Sequence, residues 1–523
     1  MLKSKILWVD DEIELLRSHV LFLSDKGYDV ETVTNGEDAI SKVKEKKFDI
    51  IFLDEMMPGK GGLETLGEIK DINPNIPCVM VTKSEEESLM HDAIGGKISD
   101  YLIKPVVPSQ ILMVCKKLLD SKKISGEYVA KDYLHDFNEI SRRLLDRLDF
   151  NDWVDIYNKL VSWDLELDSH PEVDLRQTLS EQRKECNREF GKYVERNYKM
   201  WVNNIESDET PILTPQILDK YVTPYVKEND GPVFFFVIDC LRLDQWLGME
   251  KHLLEMFNIE KDYYYSILPT ATPYSRNSLF AGLFPSEIEK TFPDLWTGSK
   301  DDERSMNKHE KDLLQNYLNT KHIKLRNDLK YLKIIDPEVG RSFEQNVKSH
   351  KKTHFFAVVV NILDMIAHGR SDSDLLKEIA PDESAYRSLT NSWFLHSSLF
   401  NTLKTISKMK NAKVIISTDH GSIRSMRGAK VLGDKEASHN LRFKFGRNLK
   451  VDDKHAIFIK NPPEYKLPNR GVTINYIIAK EDYYFVYPTE YHKYLSHYKD
   501  TFQHGGISME EMILPVITMK SKV

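Results

Sequence analysis

The chain has 523 residues, 41% hydrophobic and 29% charged, with a formal net charge of −8. That length exceeds what one hydrophobic core usually supports, so two to four domains are expected. The acidic balance gives no overall basic field for duplex DNA, and no apolar run reaches the roughly 20 residues that a membrane-spanning helix needs.

Strand patterning starts almost at once, without the charged and apolar regions of a signal peptide, so a cytoplasmic protein is expected. Cys78, Cys115, Cys186 and Cys240 form no C-x-x-C pair. They fit neither a disulfide framework nor a zinc knuckle and are expected to be reduced and mostly buried.

Over residues 1–121 short apolar runs alternate with amphipathic stretches. The runs are Ile6 to Val9, Val30 to Val33, Ile50 to Leu53, Cys78 to Val81 and Asp100 to Ile103. Between them lie helical patterns at Glu14 to Leu23, Ile40 to Val43, Leu66 to Ile69, a polar segment from Glu85, and Gln110 to Leu119. Five such repeats predict a doubly wound parallel sheet, because parallel neighbours need helical crossovers. Its active crevice lies beyond the carboxyl ends of the strands.

Asp10, Asp11, Asp54, Thr82 and Lys104 fall at those ends. Three clustered carboxylates repel one another unless a hard cation sits among them, and an all-oxygen set suits magnesium. Lys104 and the cation could neutralise a phosphoryl group on Asp54, with Thr82 bonding its oxygens. Each acid taken alone reads equally well as a helix-capping loop residue. The segments Val9-Asp10-Asp11-Glu12, Leu53-Asp54-Glu55-Met56-Met57-Pro58-Gly59, Val81-Thr82 and Tyr101-Leu102-Ile103-Lys104-Pro105 resemble a response-regulator receiver domain. The resemblance implies Asp54 as phosphoacceptor, Asp10, Asp11, Asp54 and the Met56 carbonyl as Mg2+ ligands, and Thr82 with Tyr101 as a switch pair beside Lys104. Tyr101 alone is equally a plain strand-end aromatic.

Residues 122–207 read as about three helices in a bundle. Trp153, Ile156, Leu160 and Trp163 recur at helical spacing, as do Leu175, Leu179, Cys186, Phe190, Tyr193 and Trp201. Asn151 is the expected N-cap, and Ser169-His170-Pro171 breaks the pattern. The bundle is a spacer with its own small core, or a transmitter of a dimerisation change. No helix-turn-helix is recognised in it.

Thr210-Pro211 to Thr214-Pro215 reads as a linker into a third domain over residues 208–523. There Val233 to Ile238, Phe355 to Leu363 and Val414 to Thr418 are nearly continuous apolar runs, as for strands covered on both faces. Each is followed by an acid: Asp239, Asp364 and Asp419. Three parallel strands delivering three carboxylates to one edge would form a metal crevice in an α/β fold. His368 lies one helical turn beyond Asp364, His420 adjoins Asp419, and His504 sits in Gln503-His504-Gly505-Gly506. Mixed imidazole and carboxylate donors favour zinc, with manganese as the alternative. Pro269-Thr270-Ala271-Thr272-Pro273 offers a hydroxyl nucleophile, Thr272, with Thr270 competing. Arg276 is either a phosphate-binding or an ordinary surface residue. His309, His354, His396 and His439 lack an acid in metal spacing and read as surface or satisfied core residues.

Over residues 211–520 these motifs resemble the PglZ domain of the alkaline phosphatase superfamily. The resemblance implies two Zn2+ ions, one held by Asp239, Thr272, Asp419 and His420 and the other by Asp364, His368 and His504, with Thr272 as nucleophile. The fold class is thus α/β: a doubly wound receiver, a helical bundle linker and an alkaline-phosphatase-like α/β domain. The whole arrangement resembles the receiver–PglZ response regulators associated with type IX secretion in Bacteroidota. That implies a sensor histidine kinase as partner, homodimerisation on phosphorylation, and a zinc-dependent phosphodiesterase acting on cyclic or linear oligonucleotides. The alternative is a catalytically degenerate PglZ scaffold that docks to a sigma factor or secretion component.

Overall fold

The computed structural model describes residues 4–83, 98–171, 173–228, 230–296, 307–434, 438, 440–471, 473–489 and 491–522. The segment expected to be helical from Glu85 and the residue His439 lie outside these. The chain divides into two compact units, Met1–Asp132 and Tyr133–Val523.

In the first unit β1 (Lys5–Val9), β2 (Asp29–Val33), β3 (Ile50–Asp54), β4 (Cys78–Thr82) and β5 (Asp100–Ile103) form one sheet in the order β2-β1-β3-β4-β5. Every neighbouring pair is parallel. The near-continuous apolar runs follow from burial on both faces. Ile6, Trp8, Ile50, Phe52, Val79 and Val81 pack on one side. Leu7, Val9, Ile51, Leu53, Cys78 and Met80 pack on the other.

In the second unit the large sheet contains β6 (Val233–Ile238), β7 (Phe257–Tyr265), β8 (Lys330–Ile334), β9 (Phe355–Val360), β10 (Lys413–Ser417) and the strand Ile513–Ser521. The spatial order is β7, Ile513–Ser521, β10, β6, β9, β8. The four strands from β10 to β8 run parallel, so their carboxyl ends share one edge. The strand Ile513–Ser521 is antiparallel to both its neighbours. Alternate residues again fill two cores, with Phe235, Val237 and Ile415 facing one and Phe234, Phe236 and Ile416 the other.

The helices Phe150–Ser169 and Arg176–Asn203 belong to this second unit. Their aromatic stripe continues into the sheet. Trp153 packs edge-on to Phe190 at 5.4 Å, and Trp201 packs against Tyr265 of β7 at 5.6 Å.

Three local expectations are corrected. The N-cap of Phe150–Ser169 is Asp149 rather than Asn151: its carboxylate accepts from the Asn151 and Asp152 amides, and an anion is favoured at that end of a helix. The Thr210-to-Pro215 segment is packed rather than a free linker. Thr214 is buried with its hydroxyl accepting from the Ile267 amide at 3.1 Å, and Thr210 donates to the Asn204 carbonyl. Finally, β9 stops at Val360, and Asp364 lies in the first turn of the helix Ile362–Asp372 instead of closing a strand. The four cysteines are free and buried.

Candidate functional site

The receiver crevice assembles where β1, β3 and β5 end. Ligand oxygens of Asp10, Asp11 and Asp54 can lie within 4.8 Å of one another. Lys104 Nζ reaches Asp10 Oδ2 at 2.9 Å and Asp54 Oδ1 at 2.8 Å. Its backbone N–H donates to the Thr82 carbonyl, which places buried Thr82 beside it. Burial pushes the Asp54 carboxyl above its ordinary range and the Asp10 charge adds to this, while the hydrogen bond from Lys104 opposes both. Met56 follows Asp54 by two positions with its side chain turned outward, and Tyr101 on β5 is 46% exposed.

The second site lies in the other unit, at the carboxyl edge of the large sheet. Asp239 follows β6, and Asp419 and His420 follow β10. Donor atoms of Asp239, Asp419 and His420 form one group within 4.8 Å, and all three residues are buried. His420 Nδ1 lies 3.0 Å from the Gly421 carbonyl. A carbonyl only accepts, so Nδ1 carries the proton and the Nε2 lone pair is left facing the carboxylates. Asp239 Oδ1 and Asp419 Oδ1 are buried without a hydrogen-bond partner. Buried carboxylate oxygens left open beside an imidazole lone pair are the donor set that a borderline divalent cation takes.

A second group, also within 4.8 Å, joins Asp364, His368 and His504. The helix Ile362–Asp372 supplies the first two one turn apart, with His368 Nε2 3.3 Å from Asp364 Oδ1. His504 Nε2 is 3.1 Å from His368 Nε2. The His504 and His420 rings stack at 4.1 Å, so the two groups share one cavity wall. Burial works to raise the Asp364 carboxyl, but the hydrogen bond and charge of His368, with His504 behind, hold it well below the usual carboxylate range. His368 is 45% exposed along its side chain and forms the open side of the site.

Thr272 opens the helix Thr272–Ala281, and its Oγ1 lies 2.9 Å from His420 Nε2. Asn307 Nδ2 donates to the Thr272 carbonyl. The Thr270 hydroxyl is engaged on both sides, donating to the Gly506 carbonyl at 2.8 Å and accepting from the Gly505 amide at 3.1 Å. All seven residues read from the sequence therefore meet here, and Thr270 instead ties the threonine turn to the His504 loop.

Arg276 is neither a surface residue nor turned to a substrate. It is 0% exposed, pairs with Asp239, reaches Asp419 Oδ2 at 3.0 Å and lies 3.5 Å from Glu310. Burial works to raise the Asp239 and Asp419 carboxyls. Asp239 does go well above its ordinary value despite Arg276, whereas in Asp419 the charges of Arg276 and His420 overcome burial and the carboxyl stays low. Asn361 Nδ2 adds a bond of 2.9 Å to Asp239 Oδ2. Both residues carried a sequence signal: Arg276 lies one helical turn beyond Thr272, and Asn361 is the first polar residue after β9. Glu310 carried none.

Of the histidines set aside, exposed His396 and the His309–Asp312 pair at 3.2 Å belong to the surface. Buried His354 accepts from the Arg326 amide at 2.9 Å.

The profile of the BREX system PglZ alkaline phosphatase-like domain matches residues 217–519. The chain belongs to this PglZ family. Ahead of it, the PorX response regulator linker domain matches residues 123–202 and the response regulator receiver domain matches 6–116. The protein therefore has the three-part order of a PorX-like response regulator.

Curated relatives match the receiver part. The transcriptional regulatory protein ResD of Bacillus subtilis is 34% identical over 117 residues, 22% of this chain and 48% of that protein. ZraR of Klebsiella oxytoca is 35% identical over 126 residues, 24% and 28% of the two chains. The chain thus spans less than two thirds of the length of either relative. Among solved structures, the chemotaxis protein CheY4 of Vibrio cholerae is 30% identical, covering 23% of this chain and all of its own, with a TM-score of 0.21. The response regulator TrrA of Thermotoga maritima is 29% identical, covering 22% and 99%, with a TM-score of 0.21. A receiver domain implies a sensor kinase as phosphodonor. No helix among the described residues is long and apolar enough to cross a membrane.

Proposed function

We propose that the protein is a phosphorylation-controlled, zinc-dependent phosphodiesterase. A sensor histidine kinase would load Asp54, with Mg2+ held by Asp10, Asp11, Asp54 and the Met56 carbonyl. The PglZ domain would cleave nucleotide phosphodiesters, cyclic or linear oligonucleotides, in the control of type IX secretion, with a homodimer as the phosphorylated form. The match of the linker to that of PorX response regulators supports the regulatory role.

One observation carries the catalytic reading. Two three-residue donor groups stand side by side, joined by the His420–His504 stack, with the Thr272 hydroxyl against one of them. The first set, Asp239, Asp419 and His420 with Thr272, and the second, Asp364, His368 and His504, would each hold one zinc. Two such ions supply Lewis acidity toward phosphoryl oxygens and lower the pKa of a hydroxyl beside them. Thr272 Oγ1 would be the attacking atom, forming a bond to phosphorus as the bond from phosphorus to one ester oxygen breaks, with the hydroxyl proton ending on the departing alcohol. Water would then cleave the threonine–phosphorus ester, restoring the hydroxyl and releasing a phosphomonoester. His420 Nε2 lies against that hydroxyl, and Asn307 holds the Thr272 backbone through its carbonyl. The positive end of the helix Thr272–Ala281 favours an anion at this position. Thr270 is unsuited to attack because its oxygen is already bonded to the His504 loop.

The test is cleavage of bis(p-nitrophenyl) phosphate by zinc-loaded protein with and without acetyl phosphate. Turnover by the wild type that is lost in Thr272→Ala and in Asp419→Ala supports the reading. Equal turnover in all three proteins refutes it.

A further inference from the structure

The helix Arg176–Asn203 makes direct hydrogen bonds to the Met509–Met512 turn and to Leu268, ahead of Thr272. Asn187 is buried and grips the start of the Met509–Met512 turn twice: its Nδ2 donates to Glu510 Oε2 at 2.9 Å, and its Oδ1 accepts from the Met509 amide at 2.8 Å. One turn earlier, Arg183 Nη1 donates to Glu510 Oε1 at 3.0 Å.

Glu511, the next residue, in turn fixes the backbone beside the histidines. Gly506, two residues past His504, donates its amide to Glu511 Oε1 at 2.8 Å, and Gly421, next to His420, donates to the Glu511 carbonyl at 3.3 Å. The Glu511 carboxylate is also bound by buried Arg442 and Ser508. A Cβ on Gly421 would stand 1.9 Å from the Glu510 carbonyl oxygen, so only glycine permits this approach.

Further along the helix, the Tyr198 hydroxyl accepts from the Leu268 amide at 2.7 Å, at the start of the turn that bears Thr272. Positions 183, 187 and 198 fall within about 60° of one another around a helix of 3.6 residues per turn. One face thus serves both loops.

The geometry points to Asn187, Arg183 and Tyr198 as positioning residues: this helix is a built part of the hydrolase, setting His504 through Glu510 and Thr272 through Leu268. The inference rests on the two-metal reading of the site. It makes a shift of this helix a route to both metal groups, since Glu511 holds Gly506 beside His504 and Gly421 beside His420. The rest of the second group, Asp364 and His368, sits on a different helix, so of that group only the His504 arm depends on this grip.

The experiment is titration of full-length apoprotein with Co2+ in excess Mg2+, which keeps the receiver site filled, followed by visible d–d absorption and stoichiometry. Wild type that fails to take up two ions would overturn the metal reading itself, and this inference with it, before any variant is made. With two ions bound by the wild type, Asn187→Ala weakens Co2+ binding about tenfold, as loss of a supporting contact does. The isosteric Glu510→Gln, which removes the charge held by Arg183, gives the same loss and serves if Asn187→Ala does not fold. Tyr198→Phe lowers kcat by about tenfold or more with little change in KM, because it displaces the threonine turn. Unchanged binding in both Asn187→Ala and Glu510→Gln overturns the inference. So does a loss of Co2+ binding accompanied by loss of the folded far-UV circular dichroism signal, which would mark general destabilisation.

Discussion

Thr272 Oγ1 and His420 Nε2 stand 2.9 Å apart although 148 positions separate them in the chain. The contact is set by two independent elements, the start of the helix Thr272–Ala281 and the loop leaving β10. Thr272→Ser retains an oxygen at that point and keeps part of the phosphodiesterase turnover. Thr272→Ala loses at least about a thousandfold in kcat, as removal of a nucleophile does. Single-turnover assays at saturating substrate measure both.

Arg276 compensates Asp239, Asp419 and Glu310 inside the protein. Arg276→Gln leaves these carboxylates without their cation, which costs about 3–5 kcal/mol for a buried network. Zinc would supply the missing positive charge, so the deficit shrinks when unfolding is repeated with zinc in excess. Urea denaturation of both proteins in EDTA and in zinc shows the difference. An equal deficit in the two media would contradict it.

Lys104 spans Asp10 and Asp54 in the receiver crevice. Asp54→Asn is expected to abolish labelling by acetyl phosphate on a phosphate-affinity gel. Lys104→Met is expected to leave Asp54 able to take up the phosphoryl group, more slowly, since it removes only one of the neutralising charges. Labelling of Asp54→Asn equal to wild type would place the phosphoacceptor elsewhere.

Asp500 closes the approach to the strand Thr501–Gln503, ahead of His504. Burial works to raise its carboxyl, but Arg424 and Arg370 hold it below the ordinary value. A depressed native pKa contributes stability above the unfolded value of about 3.9 and loses it as pH falls through the native one. The side chain is 39% exposed, so Asp500→Asn costs only about 0.5–1 kcal/mol at pH 7. The gap between variant and wild type narrows as unfolding is measured below about pH 4.

The ligand residues were legible because each sits at a point the local pattern marks. Asp239 and Asp419 end apolar runs, Asp364 and His368 are a helical turn apart, and His504 precedes two glycines. The supporting charges were not. Arg276 read as either a phosphate-binding or a surface residue because nothing local shows that its partners arrive from the ends of two strands far off in the chain. Glu510 and Glu511 carry no local signal for the same reason, since Arg183 and Arg442 come from other elements. The Thr210-to-Pro215 stretch had the composition of a linker, yet its hydroxyls bond to Asn204 and Ile267, partners that become visible only once the large sheet is formed.

The strand Ile513–Ser521 sits between β7 and β10. Synthesis at about 5–20 residues per second delivers that strand last among the six. Until it emerges, the nascent chain holds β7 and β10 with open rows of unpaired N–H and C=O groups, the kind of edge that recruits strands from other molecules. Chaperone demand during translation should therefore fall on this unit and end abruptly once the final strand inserts.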